Sequence, residues 1–239
     1  MKVRPSGLNY RRIMKKKDYL KGINYELYQE DDRYKVNSDT VALGMFLDPM
    51  KNKSILDIGT NNGALLMYAH ARGAKQLTGV DIHADALALA KENLSMYTTD
   101  YCLLCNRVQD LQAEPFDVIV CNPPFFEMNN VTPDPYFKEA MFENSLPLED
   151  LFSCFRRLLK ENGEIYLIYQ ADRFPELYQM CIDHKLKIMK MQFVHDISSD
   201  YALRVLLKLK IGKMSKCRIL APLLLDKGEF IDLKRNRDI

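Results

Sequence analysis

A strand, a glycine-containing turn, a helix and a second strand follow one another between residues 53 and 81, and this order constrains the fold more than any other feature of the sequence. The predicted elements are a strand over residues 53–59, a tight loop over 60–63, a helix over 64–72 and a strand over 76–81. Gly73 is placed to end the helix. Such a unit is typical of open, parallel α/β sheets that bind a nucleotide or nucleoside beyond the carboxyl ends of the strands.

Two glycines and one acid give this unit its binding chemistry. Gly59 and Gly63 permit a positive φ angle and let a ligand approach backbone N–H groups. Asp81 lies 22 residues after Gly59, at the end of the next strand, where a carboxylate can accept hydrogen bonds from both hydroxyls of a ribose. The alternative is structural: a glycine turn needed for packing, with Asp81 as a helix N-cap. The complete unit favours a nucleoside ligand.

The acid that precedes the loop indicates which nucleoside to expect. Asp57 would repel a phosphate group but attract an ammonium group. The loop also has two glycines where dinucleotide sites favour three. Both observations favour S-adenosylmethionine, whose methionyl end is zwitterionic and whose ribose carries a free diol.

A polar residue followed by two prolines ends another apolar run, at Asn122, Pro123, Pro124 and Phe125. The prolines stop the strand and stiffen the turn. The side-chain oxygen of Asn122 and the carbonyl of Pro123 can each accept one N–H from a poorly nucleophilic amine or amide nitrogen, and Phe125 can stack on a planar group. Taken alone, these four residues favour a plain proline turn with Phe125 in the core. The choice between this turn and an amine-orienting motif therefore depends on the upstream strand–loop–helix–strand unit.

The rest of the chain supplies further elements of the same alternating kind. Helices are predicted over residues 41–47, 84–96, 148–160 and 174–184, strands within 101–109 and over 116–120 and 164–169, and an antiparallel hairpin over 187–195 and 201–211. Ser38 or Asp39 is the predicted N-cap of the first helix. Asp110 is placed by chain order to accept the amino hydrogens of an adenine, although a surface turn acid would look the same. Residues 126–146 form a long loop that we expect to cover the substrate side.

The overall charge of +2 conceals two basic clusters. Residues 1–17 carry seven Lys or Arg and no acid, and residues 204–218 carry six and no acid, which leaves −11 for the remainder. Such clusters on an otherwise acidic chain favour contact with a polyanion such as nucleic acid. The alternative is a solvated tail and a strand with one polar face.

Composition excludes several classes of protein. No apolar run approaches the length of a membrane span, and no apolar segment follows the basic start to make a secretory leader. The six cysteines, including the Cys102–Cys105 pair, lack the partners of a zinc site, so no metal is predicted and all six are interpreted as reduced thiols. We therefore expect a cytoplasmic, single-domain protein over residues 1–239, with a basic N-terminal extension (about 1–35) and a short C-terminal tail (about 212–239).

These motifs, with three further stretches, carry a resemblance to a known family. It covers about residues 20–235 and rests on residues 37–41, 56–63, Asp81, 122–125, 148–151 and the late hairpin. In these stretches the chain resembles the class I S-adenosylmethionine-dependent methyltransferases. More narrowly, it is similar to the bacterial tRNA adenine-N6 methyltransferases that act beside the anticodon of valine tRNA.

The resemblance implies a Rossmann-like, seven-stranded, mostly parallel sheet with strand order 3-2-1-4-5-7-6, flanked by helices. The cofactor-binding residues that it implies are Asp39, Thr40, Asp57, Gly59, Thr60, Gly63, Asp81, Ile82, Asp110 and Asn122. The catalytic motif that it implies is Asn122, Pro123, Pro124 and Phe125, which would orient the amine of the target adenine for direct methyl transfer. The implied partner is tRNA, held through the basic N-terminus and the Arg204–Arg218 stretch.

Two departures from the family pattern keep other functions open. Asn61 stands where the family usually has Gly, and Met141-Phe142-Glu143 lacks the usual His. One alternative is a protein glutamine methyltransferase that acts on release factors, although only about 50 residues precede the first core strand and they do not read as the helical substrate domain of those enzymes. Another is a non-catalytic nucleic-acid-binding relative with a decayed cofactor site.

Overall fold

A central mixed sheet with helices on both faces organises the computed structural model, which describes residues 15–30, 34–123 and 146–231. The strands are β1 (Lys15–Tyr19), β2 (Glu26–Glu30), β3 (Ser54–Ile58), β4 (Gln76–Asp81), β5 (Tyr101–Cys105), β6 (Phe116–Cys121), β7 (Leu159–Gln170), β8 (Leu186–Asp196), β9 (Ala202–Ile211), β10 (Arg218–Ile219), β11 (Leu223–Asp226) and β12 (Glu229–Phe230). The helices are α1 (Ser38–Phe46), α2 (Ala64–Ala71), α3 (Ala84–Ser95), α4 (Leu148–Leu158) and α5 (Phe174–Asp183), with a 3-10 turn at Val108–Asp110.

The large sheet has the order β12-β11-β8-β9-β7-β6-β3-β4-β5, with β10 also paired to β8. Strands β5, β4, β3, β6 and β7 are parallel, and β9 is antiparallel to both of its neighbours. If the seven core strands β3 to β9 are numbered 1 to 7 along the chain, their order across the sheet is 3-2-1-4-5-7-6. The sheet differs from the expected seven strands because the segment after residue 212, expected to be a mixed tail, adds β10 and β11 beside β8 and then β12.

Alternation along the central strands divides the core into two layers. Leu56 and Ile119 pack in one hydrophobic cluster with α4 and α5, while Ile55 and Val118 pack in the other with α1 and α2. All four side chains are completely buried. Because successive residues of a strand point to opposite faces, continuously apolar strands such as β3 and β6 must be covered on both sides.

A separate hairpin precedes the core, within the segment expected to be a basic N-terminal extension (about 1–35). β1 pairs with β2 in antiparallel register, and β2 is joined to α3 through Asn93. The Asn93 side chain accepts a hydrogen bond from Tyr28 N at 2.6 Å and donates to Tyr28 O at 2.9 Å. A long-range amide pair of this kind leaves no pattern in the local sequence.

The α4–β7 junction also differs from the expectation. The sequence predicted a helix to residue 160 and a strand from residue 164, but α4 ends at Leu158 and β7 begins at Leu159. The pairing of β6 with β7 shifts register between Phe116 and Val118. A Cβ on Gly163 would lie 2.6 Å from Leu159 Cδ1, so glycine lets the irregular strand continue where a larger residue would clash.

Candidate ligand-binding and catalytic site

Three adjacent parallel strands end at one edge of the sheet and bring the predicted residues together. Ile58, the last residue of β3, pairs with Val80 on one side and with Cys121 on the other. The loop 59–63, Asp81 and Asn122 therefore leave the sheet side by side. In open α/β sheets this is the edge at which ligands bind.

The two glycines of the loop have different roles. Gly59 has a φ of 72°, and a Cβ there would meet no atom within 4 Å, so the space above it is open to a ligand. Gly63 has a φ of 83°, but a Cβ there would lie 3.2 Å from the Cβ of Ala90, so its small size serves the packing of α2 on α3. Asn61 adopts a φ of 51°, the left-handed conformation that asparagine tolerates best after glycine.

Asp57 places a carboxyl group inside the protein directly beneath this loop. It is completely buried, and its Oδ2 accepts a hydrogen bond from Thr60 Oγ1 at 2.7 Å. Its Oδ1 is buried without a hydrogen-bond partner among the described residues. Burial raises the pKa of Asp57 to about 7; the bond from Thr60 opposes this shift, and the negative charge of Asp81 adds to it. An oxygen of this kind suits a cationic group of a ligand.

Asp81 organises the backbone on both sides of itself. Its Oδ2 accepts from Asn61 N at 2.9 Å, and its Oδ1 accepts from His83 N at 3.0 Å. The N-cap of α3 is His83 and not Asp81, so the helix cap considered for Asp81 is not the role that it has here. A carboxylate has about four acceptor positions, so these two bonds leave capacity for a ligand hydroxyl. Ile82 beside it is 38% exposed.

Asn122 follows the end of β6 and faces the first turn of α1. Its Nδ2 donates to Thr40 Oγ1 at 3.3 Å. Thr40, which the resemblance implied for the cofactor pocket, thus contacts the catalytic candidate itself. Pro123 is buried next to it, whereas Pro124, Phe125 and nearly all of the predicted 126–146 loop lie outside the described residues.

The N-cap of α1 is Asn37, not Ser38 or Asp39 as predicted. Its side chain accepts from Thr40 N at 2.8 Å, and the three-residue spacing is the usual one for such a cap. Asp39 is engaged elsewhere, because its Oδ2 accepts from Arg204 Nε on β9 at 2.9 Å. Asp110 ends the 3-10 turn and is exposed, so its role towards an adenine stays a prediction.

Two buried asparagines at the loop were missed from the sequence. Asn62 Nδ2 donates to Tyr34 O at 2.7 Å, and Asn93 Nδ2 donates to Asn62 O at 2.9 Å. They tie the loop to the segment before α1 and to the N-terminal hairpin. A second asparagine beside Asn61 is the only sequence signal, since the partners lie 28 and 31 positions away.

The Arg204–Arg218 stretch divides into two parts. Arg204 pairs with Asp39, Lys208 with Asp48 and Glu164, and Lys210 with Glu164. These cations form the polar face of β9 that was considered as the alternative to a nucleic-acid contact. The remaining Lys213, Lys216 and Arg218 are exposed.

Within the described ranges, no cluster of His, Cys, Asp and Glu is arranged to hold a metal ion. Cys102 and Cys105 are free and exposed. In the same part of the chain, none of the helices is both long enough and apolar enough to cross a membrane.

Comparisons with known proteins match this chain over most of its length. The family model described as methyltransferase small domain matches residues 32–189. A tRNA1(Val) (adenine(37)-N6)-methyltransferase of Aeromonas salmonicida is 31% identical over 80% of this chain and 84% of that protein. One of Christiangramia forsetii is 29% identical over 79% and 82%. A solved methyltransferase structure complexed with SAH has a TM-score of 0.62 at 19% identity, over 82% of this chain and 56% of that one.

Proposed function

This chain belongs to the methyltransferase small domain family, and from that premise we propose that it methylates the exocyclic N6 amine of an adenine beside the anticodon of a valine tRNA. Family and relatives make it an S-adenosylmethionine-dependent methyltransferase. The names of the relatives support the tRNA substrate, and the proposed chemistry rests on the residues at the carboxyl edge of the sheet.

The residues at this edge fit S-adenosylmethionine. The unpartnered Oδ1 of Asp57 suits the ammonium group, the open space over Gly59 admits the ligand close to the backbone, and Asp81 has acceptor capacity for the ribose. Asp110 is the candidate for the adenine of the cofactor. When bound, the cofactor supplies a methyl group made electrophilic by a sulfonium.

The protein's part in the reaction is orientation. The side-chain oxygen of Asn122 and the carbonyl of Pro123 would accept the two N–H groups of the target amine, which aims its lone pair. Burial raises the pKa of the neighbouring Cys121 thiol well above its usual range, so this group stays protonated and is not the base. No base is needed before transfer, because the methylated ammonium is acidic and loses its proton afterwards.

One observation carries this proposal: the Asn122 amide lies after the end of β6, beside the strand that carries Asp57 and the loop that begins at Gly59, with its NH2 group engaged by Thr40. That arrangement leaves the amide oxygen for a substrate. Asn61 favours activity over decay, because it adopts the left-handed conformation that the glycine of the family pattern would also permit.

The test is incubation of the protein with unmodified valine tRNA transcript and S-adenosylmethionine, followed by nucleoside mass spectrometry. We expect N6-methyladenosine at the position beside the anticodon. Asn122→Ala should lower kcat for its formation by about a hundredfold or more. The affinity for S-adenosylmethionine, measured by calorimetry, should stay unchanged.

Two outcomes would contradict this proposal. If Asn122→Ala keeps the wild-type kcat, the orientation mechanism is wrong. If labelled methyl enters a release factor and no RNA, the glutamine methyltransferase alternative replaces this one, although residues 15–30 form a hairpin where those enzymes have helices.

A further inference from the structure

Three side chains form a hydrogen-bonded series that ends on the catalytic candidate. Asn122 Nδ2 donates to Thr40 Oγ1 at 3.3 Å, and Thr40 Oγ1 donates to Asn37 Oδ1 at 2.9 Å. The same Asn37 oxygen accepts from Thr40 N at 2.8 Å. Residues separated by 82 positions in the chain are thereby joined through one hydroxyl group.

The direction of these bonds follows from counting protons. A carboxamide oxygen such as Asn37 Oδ1 can only accept, so the single proton of the Thr40 hydroxyl is used in the bond to Asn37. The Thr40 oxygen then presents only lone pairs to Asn122. The NH2 group of Asn122 satisfies it, whereas the carboxamide oxygen in its place would meet another acceptor.

The hydroxyl itself is held in place by its helix. Asn37 caps the first turn of α1, and Asp39 in that turn pairs with Arg204 on β9, both side chains being at least four-fifths buried. Further along α1, Gly44 lies so close to Tyr68 that a Cβ would come within 2.3 Å of the ring. The position of Thr40 relative to the sheet is therefore set by the packing of α1 on two sides.

We propose that Thr40 is a positioning residue, which sets the direction of the Asn122 carboxamide so that its oxygen faces the target amine. This inference rests on the proposed function of Asn122. It assigns Thr40 to the alignment of the substrate amine and not to cofactor affinity.

The test compares Thr40→Val with Thr40→Ser in tRNA methylation. Valine keeps the shape and the backbone cap bond to Asn37 but offers no acceptor, so kcat should fall by about tenfold or more, as misalignment of a reacting group does. Serine keeps the hydroxyl and should restore most of the rate. The affinity for S-adenosylmethionine by calorimetry and the Tm should stay at wild-type values in both.

Thr98→Val is the matched control. The Thr98 hydroxyl accepts from Asp100 N at 3.1 Å in the turn between α3 and β5, away from the site, so its loss should leave kcat unchanged. Wild-type kcat in Thr40→Val, or weakened cofactor binding with kcat retained at saturation, would overturn the positioning role. A wild-type protein that methylates no tRNA contradicts the proposed function instead, so the two failures are distinguishable.

Discussion

The carboxyl group of Asp57 is buried in the folded protein, whereas in the unfolded chain it is exposed to water. Its folded-state pKa of about 7 lies above the value of about 3.9 for an unperturbed aspartate. Between these values the folded protein binds a proton that the unfolded chain has released. The free energy of unfolding of the ligand-free protein therefore falls as the pH rises through this window, and the Asp57 contribution levels off above it.

The same proton should couple to cofactor binding. An ammonium group near Oδ1 favours the ionised carboxylate, so below about pH 7 binding must expel the proton, and the affinity for S-adenosylmethionine should rise up to about tenfold per pH unit towards neutrality. Above about pH 8 the affinity should fall again as an α-amino group deprotonates. Calorimetry in two buffers of different ionisation enthalpy measures the proton released.

Asp57→Asn is the control for this prediction, because the amide has nearly the same size and does not titrate. It should bind the cofactor more weakly and show no rise in affinity below neutrality. A wild-type affinity that is constant between about pH 5 and pH 7 would contradict the role given to Asp57.

At this scale the sequence predicts residues whose chemistry is visible locally. Asp57, Gly59 and Asp81 could be found because each stands at a fixed place in a strand–loop–helix–strand unit. Asn62 and Asn93 could not, because their hydrogen bonds join the loop to elements far away in the chain. Their local sequence looks like that of any polar turn or helix.

The helix α1 carries Thr40 in its first turn and packs on α2 through Gly44. A Cβ at Gly44 would lie 2.3 to 2.5 Å from three ring atoms of Tyr68, which is itself completely buried. Neither the ring nor the helix backbone can move without disturbing the core. The contact fixes how closely α1 approaches α2.

Gly44→Ala should therefore destabilise the protein in spite of the better helix propensity of alanine. We expect the free energy of unfolding, measured by urea denaturation, to fall by about 1–3 kcal/mol, as for other overpacked cores. Ala88→Ser, which also adds one atom but on the exposed side of α3, should change little. A Gly44→Ala protein as stable as the wild type would show that the contact relaxes freely.

Elements were predictable where one local pattern defines them. The bounds of β3, α2 and α3 follow from apolar periodicity and, for β3 and α2, from flanking glycines. Strands β1 and β10 to β12 could not be predicted in this way, because a short polar or mixed segment becomes a strand only when a distant partner is present. The bulged start of β7 was missed for the same reason.

At the scale of the whole molecule, the described parts of the two basic clusters lie at different edges of the sheet. Lys15 lies opposite Glu30 in the strand register, at the open end of the hairpin. Four residues after Glu30, Tyr34 O accepts a hydrogen bond from Asn62 in the loop 59–63. β9, in contrast, ends at Ile211, which pairs with the first residue of β8 at the opposite edge of the sheet. The described part of the N-terminal cluster, which begins at Lys15, thus lies on the side of Asn122, and residues 213–216 follow the far edge.

This placement predicts which cluster contacts tRNA, a distinction that charge counting could not make. Replacing Lys2, Arg4, Arg11 and Arg12 by Gln should weaken tRNA binding and flatten its dependence on salt, by about 0.7–0.9 in the slope of log K against log salt for each phosphate that is no longer neutralised. Cofactor affinity should not change. Binding measured at several salt concentrations gives both quantities.

Replacing Lys213, Lys216 and Arg218 by Gln is the comparison, because it removes three exposed positive charges, against four in the N-terminal set, on the amino-terminal side of the sheet. A general electrostatic attraction would weaken with either set of changes, since at low salt a field extends over roughly 10–30 Å. Direct phosphate contacts near the target adenine would weaken only with the N-terminal set. If the C-terminal set has the larger effect on the salt slope, tRNA crosses the opposite edge of the sheet, and a substrate held there could not present its adenine to Asn122.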